Sequence, residues 1–281
     1  RRIMITFPNA KINLGLNIVE KRSDGYHNIE TLFYPIEICD ALEFVPSTKE
    51  TTFTTTGLPI EGNSTDNLVL KAYHLLSREY NLPAIDIHLH KKIPMGAGLG
   101  GGSSDAAIML KLLNDYFKLN ISNEKLADFA SLLGADCAFF IYNKPMFGCG
   151  KGNILSEIPI DLSNHYIVTV SSNVHVSTAE AYSQCMPRKW DIPLKEIISL
   201  PIHQWRNLLY NDFEKSVFPK HPELQQIKDT LYNFGAEYAA MSGSGSTIYG
   251  IFTQKQDKDY IQNQLEKNFS NINIKVSQTT L

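Results

Sequence analysis

The segment PMGAGLGGGSSDAA, residues 94–107, sets Gly96, Gly98, Gly100, Gly101 and Gly102 ahead of two serines and an apolar-periodic run. A stretch so poor in side chains works through its backbone, because glycine admits positive φ and lets the main chain approach a ligand closely. Gly96, Gly98 and Gly101 spell GxGxxG, the spacing of a dinucleotide site. The same residues nearly spell a Walker A loop, with Gly102 where that motif carries its lysine.

Neither motif survives its context. A dinucleotide site needs a tight βαβ unit with an acidic residue about 20 positions on, at the end of the second strand. Here ISNEKLADFASLL after the loop's helix is itself helical, and Asp115 falls on that first helix. The strand before the loop alternates polar and apolar residues, unlike the doubly buried first strand of a parallel sheet. The Walker reading lacks the lysine that reaches the β- and γ-phosphates. What remains is a glycine-rich turn feeding a helix expected to be capped by Ser103 or Ser104. Converging N–H groups and a helix dipole favour an anion there. Phosphate binding is therefore expected, with the cationic help supplied from elsewhere.

A chain of 281 residues has room for one large or two modest domains. With 43% hydrophobic residues, 20% charged residues and a net charge of −3, it reads as a globular protein. That charge gives no overall attraction to nucleic acid or to an anionic membrane. Cys39, Cys137, Cys149 and Cys185 are scattered with no CxxC pair, which fits reduced thiols in a cytoplasm. No apolar run approaches the length of about 20 residues that a spanning helix needs. Met4 follows Arg1, Arg2 and Ile3 and is a candidate natural start.

The opening reads as β-rich: Ile12, Leu14, Leu16 and Ile18 alternate with polar or small residues, and Ser23-Asp24-Gly25 supplies a turn before residues 29–38. Leu68, Ala72, Leu75 and Leu76 form a helix stripe with Asp66 as the expected N-cap. Residues 84–90 alternate as a strand, and helices are expected over the loop's run to Phe117 and over 123–133, ending at Gly134. A soft boundary falls at GCGKGN, dividing the chain into 1–152 and 153–281. The second half repeats the α+β style, with a strand at 166–170, helices through Phe234, and strands around AAMSGSGSTIYGIF.

Three further features join the loop. PNAKINLGLNI puts Lys11 and Asn13 on one side of an extended segment, because side chains alternate with period 2. LGADCAFF places Asp136 past a helix end, beside Ala138, Phe139 and Phe140, where water is partly excluded. MSGSGST, residues 241–247, is a second glycine–serine run between apolar strands. Taken singly, each also fits a plain role: a solvated strand lysine, a turn cap, a hairpin. His88 and His90 share one strand face without an apparent third metal ligand, and Trp190 and Trp205 carry no assigned role.

Taken in order, these segments resemble the three motifs of the GHMP kinases, the family of galactokinase, homoserine kinase, mevalonate kinase and phosphomevalonate kinase. The pair AKINLGL and DGYH is similar to members acting on a sugar alcohol that carries a cytidine diphosphate group. The resemblance implies an α/β (α+β) two-domain fold: an N-terminal α/β domain with a mixed sheet, then a ferredoxin-like α+β domain. It implies ATP as co-substrate and Mg²⁺. Asp136 would be the general base at the substrate's 2-hydroxyl, with Lys11 beside it stabilising charge on the transferring phosphoryl group.

The resemblance also implies that Pro94, Met95, Gly96, Ala97, Gly98, Leu99, Gly100, Gly101, Gly102, Ser103 and Ser104 wrap the ATP phosphates. Ser104 would lie nearest the metal, and Asn67 and Lys91 would line the adenosine side. Tyr26 and His27 match positions that recognise cytosine, Tyr182 matches an aromatic that stacks on it, and Thr178 and Asn13 contribute at the substrate. The glutamate that holds Mg²⁺ in several GHMP kinases has no counterpart before LGAD, and Ala179 stands where some relatives carry proline. Two alternatives stay open at this point: a GHMP kinase for a homoserine- or mevalonate-type alcohol, and a nucleotide-binding sensor without catalysis. A monomer or a weak homodimer is expected.

Overall fold

The computed structural model describes residues 4–278; Arg1, Arg2 and Ile3, which precede the candidate start at Met4, lie outside the described residues. The chain opens with β1 (Met4–Thr6), β2 (Asn9–Lys21), β3 (His27–Cys39), β4 (Ala41–Pro46) and β5 (Thr52–Gly57). Helix α1 (Leu68–Tyr80) and β6 (Ile85–Lys91) lead to α2 (Gly101–Phe117), α3 (Asn123–Leu133) and α4 (Cys137–Tyr142). Then come β7 (Met146–Cys149), β8 (Ile154–Glu157) and β9 (His165–Ser172). The short helices α5 (Thr178–Tyr182), α6 (Leu194–Ile198) and α7 (Glu214–Val217) precede α8 (Pro222–Asn233). Strands β10 (Tyr238–Met241) and β11 (Ile248–Thr253), helix α9 (Lys258–Asn268) and β12 (Ile272–Gln278) complete it.

Two compact units share this chain, and neither is a single stretch. One takes the chain up to Ala10, Ile38–Met95 and Gly100–Lys144; the other takes Lys11–Glu37, Gly96–Leu99 and the chain from Pro145 onward. The first unit holds a sheet in the order β1-β4-β6-β5, mixed because β5 runs parallel to β6 while the other pairs are antiparallel. Strand β6 shows why it forms: Ile85, Ile87, Leu89 and Lys91 are buried, and the alternate residues face partly outward. Helix α1 buries Val69, Ala72, Tyr73 and Leu76 as one stripe.

Two helix starts differ from the sequence expectation. Asn67, not Asp66, is the N-cap of α1: its extended backbone turns Oδ1 onto the Val69 N–H at 2.9 Å, while Asp66 closes a preceding 3₁₀ turn. Helix α2 begins at Gly101 with Gly100 as N-cap in the left-handed region. Ser103 and Ser104 therefore sit inside its first turn, and the Ser104 N–H already donates to Gly100 O at 2.9 Å.

In the second unit, β9, α8, β10, β11, α9 and β12 form a βαββαβ unit, with the short helices α5 to α7 inserted between β9 and α8. The sheet order β10-β11-β9-β12, antiparallel throughout, is the ferredoxin-like arrangement. Its core joins Val168 and Val170 of β9 to Ile227 and Leu231 of α8 and to Ile261 and Leu265 of α9. A second sheet in the order β2-β3-β7-β8 belongs to the same unit. Among the described residues no helix is long and apolar enough to cross a membrane.

Candidate active site

The glycine loop is built with its carbonyls turned into the protein. Ala97 O accepts from the Thr247 N–H at 3.2 Å and Leu99 O from the Lys11 N–H at 2.9 Å. Gly98 O accepts from Ser242 Oγ at 2.8 Å and from Lys11 Nζ at 3.1 Å. In a planar trans peptide the N–H points opposite to the C=O. The N–H groups of Gly98, Leu99 and Gly100 are therefore turned the other way, away from those partners. Gly96, Gly98 and Gly100 all hold positive φ, and the buried side chains of Ala97 and Leu99 anchor the residues between them. Successive N–H groups in such a backbone suit an anion.

Lys11 and Asn13 do share a face of β2. Lys11 Nζ donates to Asn13 Oδ1 at 2.6 Å, and Asn13 Nδ2 donates to Thr31 Oγ1 at 3.0 Å. The Asn13 N–H donates to Ser242 Oγ at 3.2 Å. One network thus gathers Lys11 and Asn13 from β2, Gly98 from the loop and Ser242 from MSGSGST. The Phe33 ring lies 5.5 Å from the Lys11 ammonium.

In the first unit, Asp136 is half-buried at the entry to α4. Its neighbour Cys137 is buried, which pushes the thiol up to about 11, with a hydrogen bond to Ser103 partly opposing the shift. The Ser103 hydroxyl and Asp136 are in this way brought to one end of the first unit. Ser104 is fully buried and its Oγ has no hydrogen-bond partner, an orphaned donor-acceptor at the start of α2.

Lys91, expected on the adenosine side, is the last residue of β6. Its side chain is fully buried, and its ammonium pairs with Asp40 and, at 2.8 Å, with Asp105. The Asp40 carboxylate also accepts the N–H groups of Lys92 at 2.6 Å and Ile93 at 2.9 Å. Burial pushes the Asp105 carboxyl up to about 7 against the pull of Lys91, with Asp40 adding to the rise. The Lys91 ammonium lies beneath Gly101, 3.2 Å from where an added Cβ would stand. Asn67, assigned to the same side, uses its Oδ1 as the cap of α1.

The aromatic residues do meet. His27 and Tyr182 stack with ring centroids 4.6 Å apart and planes 18° from parallel, and Phe213 sits edge-on to Tyr182. That separation leaves no room for a third ring between them. Tyr26 is 60% exposed, and the Lys151 ammonium lies 4.7 Å from its centroid. Burial, with Lys21 nearby, lowers the His27 pKa, favouring the neutral ring. Thr178 is exposed at the start of α5, where Ser177 Oγ caps the helix through the Glu180 N–H.

Sequence reasoning missed Asp40, Asp105, Ser242 as an individual residue, and Asn211. Asp105 lay inside the quoted loop, and a carboxylate one turn into a helix that binds anions is an oddity that called for a buried cation. The others carry no local signal. His88 and His90 both contact Thr56 Oγ1, at 3.0 and 2.9 Å, across the β5–β6 pair. Trp205 is a core residue whose Nε1 donates to Leu200 O at 3.0 Å, and Trp190 stacks on Tyr210.

With this geometry in place, comparison with known proteins defines the class. The models for the GHMP kinases N terminal domain and the GHMP kinases C terminal match residues 67–144 and 194–271. The chain belongs to the GHMP kinases and is a small-molecule kinase. It is 56% identical, over 90% of its length and 93% of the relative, to the 4-diphosphocytidyl-2-C-methyl-D-erythritol kinase of Bacteroides fragilis (strain YCH46). The kinase of the same name from Chlorobium limicola is 41% identical over 89% of this chain and 88% of that one. A crystal structure of 4-(cytidine 5'-diphospho)-2C-methyl-D-erythritol kinase matches with a TM-score of 0.82 at 28% identity, covering 98% of this chain and 99% of that chain.

Proposed function

We propose that this chain transfers the γ-phosphoryl group of ATP to the 2-hydroxyl of 4-diphosphocytidyl-2-C-methyl-D-erythritol, in the non-mevalonate route to isoprenoid precursors. The observation that carries the reading is the glycine loop, whose inward carbonyls turn its N–H groups outward and fasten the Lys11 ammonium to Gly98 O. Phosphoryl transfer asks a protein mainly for positioning and for neutralisation of charge. Asp136 takes the proton of the 2-hydroxyl, the oxygen attacks the γ-phosphorus, and ADP leaves. Lys11 is the electrostatic partner, stabilising charge on the phosphoryl oxygens.

Residues 94–104 receive the phosphates through backbone N–H groups, and Asn67 and Lys91 support the adenosine side, Lys91 by holding the floor beneath Gly101. Mg²⁺ supplies charge neutralisation when bound. The buried, unpartnered Ser104 Oγ fits a ligand to it, and no group of three or more His, Cys, Asp or Glu suited to a metal occurs among the described residues. The ATP oxygens and water would complete the set. At the other end, Tyr26, His27 and Tyr182 read the cytosine by stacking and through the neutral imidazole, with Thr178 adding a hydrogen bond, while Asn13 contributes at the substrate beside Lys11. We assign residues 1–152 and 153–281 as its N- and C-terminal GHMP domains, working in the cytoplasm as a monomer or weak homodimer.

The test is ADP release with a panel of alcohols: the cytidine-bearing substrate, homoserine and mevalonate. Turnover confined to the first is expected, and equal turnover of all three would refute the substrate assignment. Asp136→Asn should lower kcat by about 10²–10⁴-fold while ATP still binds. Lys11→Met should lower kcat by about 10²–10³-fold with far less effect on ATP affinity. Wild-type turnover by either variant would remove that residue from the mechanism.

A further inference from the structure

Asn211 is buried, lies in no motif of the sequence, and sits at the head of the segment Asn211-Asp212-Phe213-Glu214. Its Nδ2 donates to two backbone carbonyls, Met241 O at 2.7 Å and Gly243 O at 2.8 Å. Its Oδ1 accepts from the Phe213 N–H at 3.0 Å. The two carbonyls flank Ser242, whose hydroxyl bonds both Gly98 O and the Asn13 N–H. Only a side-chain NH₂ at this distance can bridge two carbonyls while its oxygen accepts a third bond. The segment has a second hold on the same strand end, since Glu214 Oε1 accepts from the Met241 N–H at 2.8 Å. It also grips β2, where the Leu16 N–H donates to Tyr210 O at 2.9 Å and the Asp212 N–H to Leu16 O at 2.8 Å.

We infer that Asn211 is a positioning residue for phosphoryl transfer. By clamping the carbonyls on both sides of Ser242 it sets the Ser242 hydroxyl, and through it the Gly98 carbonyl that holds the Lys11 ammonium. The inference rests on the kinase reading and on the role proposed for Lys11. Asn211 itself touches neither substrate nor phosphate. Its effect passes through Ser242, which makes the two residues energetically dependent on each other.

The experiment is a double-mutant cycle of Asn211→Ala and Ser242→Ala, read by kcat, by KM for ATP and for the cytidine-bearing substrate, and by thermal unfolding. Asn211→Ala should lower kcat by about 10–10²-fold, the scale of a 1 Å misplacement. KM for the cytidine-bearing substrate should stay within about twofold, and the double variant should lose little more than either single one. An unchanged kcat, or losses that multiply independently in the double variant, would overturn the inference. If Asn211→Ala does not fold, Asn211→Asp keeps the volume and the Phe213 bond, loses both donors, and is read by the same criteria. Wild-type protein is measured alongside: failure of the wild type on every alcohol refutes the functional reading, whereas a sound wild type with an indifferent Asn211 variant refutes only the positioning role.

Discussion

Gly98→Ala isolates what the glycine run does. Gly98 holds φ +78, and an added Cβ would lie 1.9 Å from Ser242 O and 2.9 Å from the Ser242 carbonyl carbon. Alanine in the left-handed region costs about 1–2 kcal/mol before any clash is counted. The clash is with main chain, so relief needs a movement of about an ångström. Ser242 is the less able to move: its N–H donates to Thr247 O, its carbonyl accepts from the Gly245 N–H, and Asn211 holds both flanking carbonyls. The loop must yield, breaking the bonds of Gly98 O to Ser242 and to the Lys11 ammonium. Such bonds contribute about 1 kcal/mol for the neutral donor and about 1.5–3 kcal/mol for the charged one. A local loss of roughly 3.5–6 kcal/mol follows. A displaced phosphate loop should cut kcat by about 10²-fold. Gly102→Ala is the control: no positive φ is required there, the nearest atom to an added Cβ is Met95 Cε at 3.7 Å, and the position is helical. Replacing that glycine should leave thermal stability unchanged or raise it by about 0.5–1 kcal/mol. The assay pairs ADP release with thermal unfolding for both variants. Wild-type kcat and melting temperature in Gly98→Ala would refute the claim that this loop is shaped by its contact with Ser242.

Removing the Tyr182 ring should raise KM for the cytidine-bearing substrate by about 2–12-fold, matching a stacking contribution of about 0.5–1.5 kcal/mol, and leave KM for ATP unchanged. Because burial and Lys21 lower the His27 pKa, the neutral ring persists through neutral pH. KM for that substrate should be flat at alkaline and neutral pH and rise as pH falls through the lowered pKa, a rise that His27→Asn abolishes. Asp105 gives a stability prediction of the opposite sign. Its native pKa, about 7, lies above the ordinary aspartate value of 3.8, so the native state binds this proton more tightly than the unfolded chain. Stability from this group is complete below about pH 4, falls as pH rises through 7, and is level above. Asp105→Asn still accepts from Lys91 and removes the penalty; urea unfolding at pH 5 and pH 8 should show a flatter pH dependence and a gain at pH 8, and an unaltered slope would refute the assignment.

The parts of the fold written in local periodicity were legible in the sequence. Strand β6 alternates strictly, α3 is bracketed by Ser122 and Gly134, and the apolar runs of β10 and β11 flank the turn residues of MSGSGST. The two misplaced helix starts were one to four residues off, because Asp66, Ser103 and Ser104 are all good caps and local preference could not rank them against the actual backbone. The composition of the two units was not legible. Residues 11–37 fold with a sheet completed by β7 and β8, more than a hundred positions later, and nothing local announces such pairing. The partners of Lys91 were hidden for the same reason. A strand-end lysine looks solvated until Asp40 and Asp105, 51 and 14 positions away, are seen on its ammonium.

The absent loop lysine has a structural counterpart in how Lys11 is held. A Walker lysine is part of its own loop, so loop and cation move together. Here the cation comes from β2, and its link to the loop is a hydrogen bond to the Gly98 carbonyl. That link holds only while three conditions hold together: Gly98 stays at positive φ, Ser242 occupies the other side of the same carbonyl, and Asn13 orients the ammonium with its Oδ1. Each condition lies in a different one of the three motifs, which gives a physical reason for their occurring as a set. A carbonyl can accept two donors, so Ser242 and Lys11 support one orientation instead of competing for it. Because the carbonyl is drawn inward by both, the adjoining N–H is pushed outward. The same two bonds that place the ammonium therefore also turn outward the N–H that the proposed phosphate role requires.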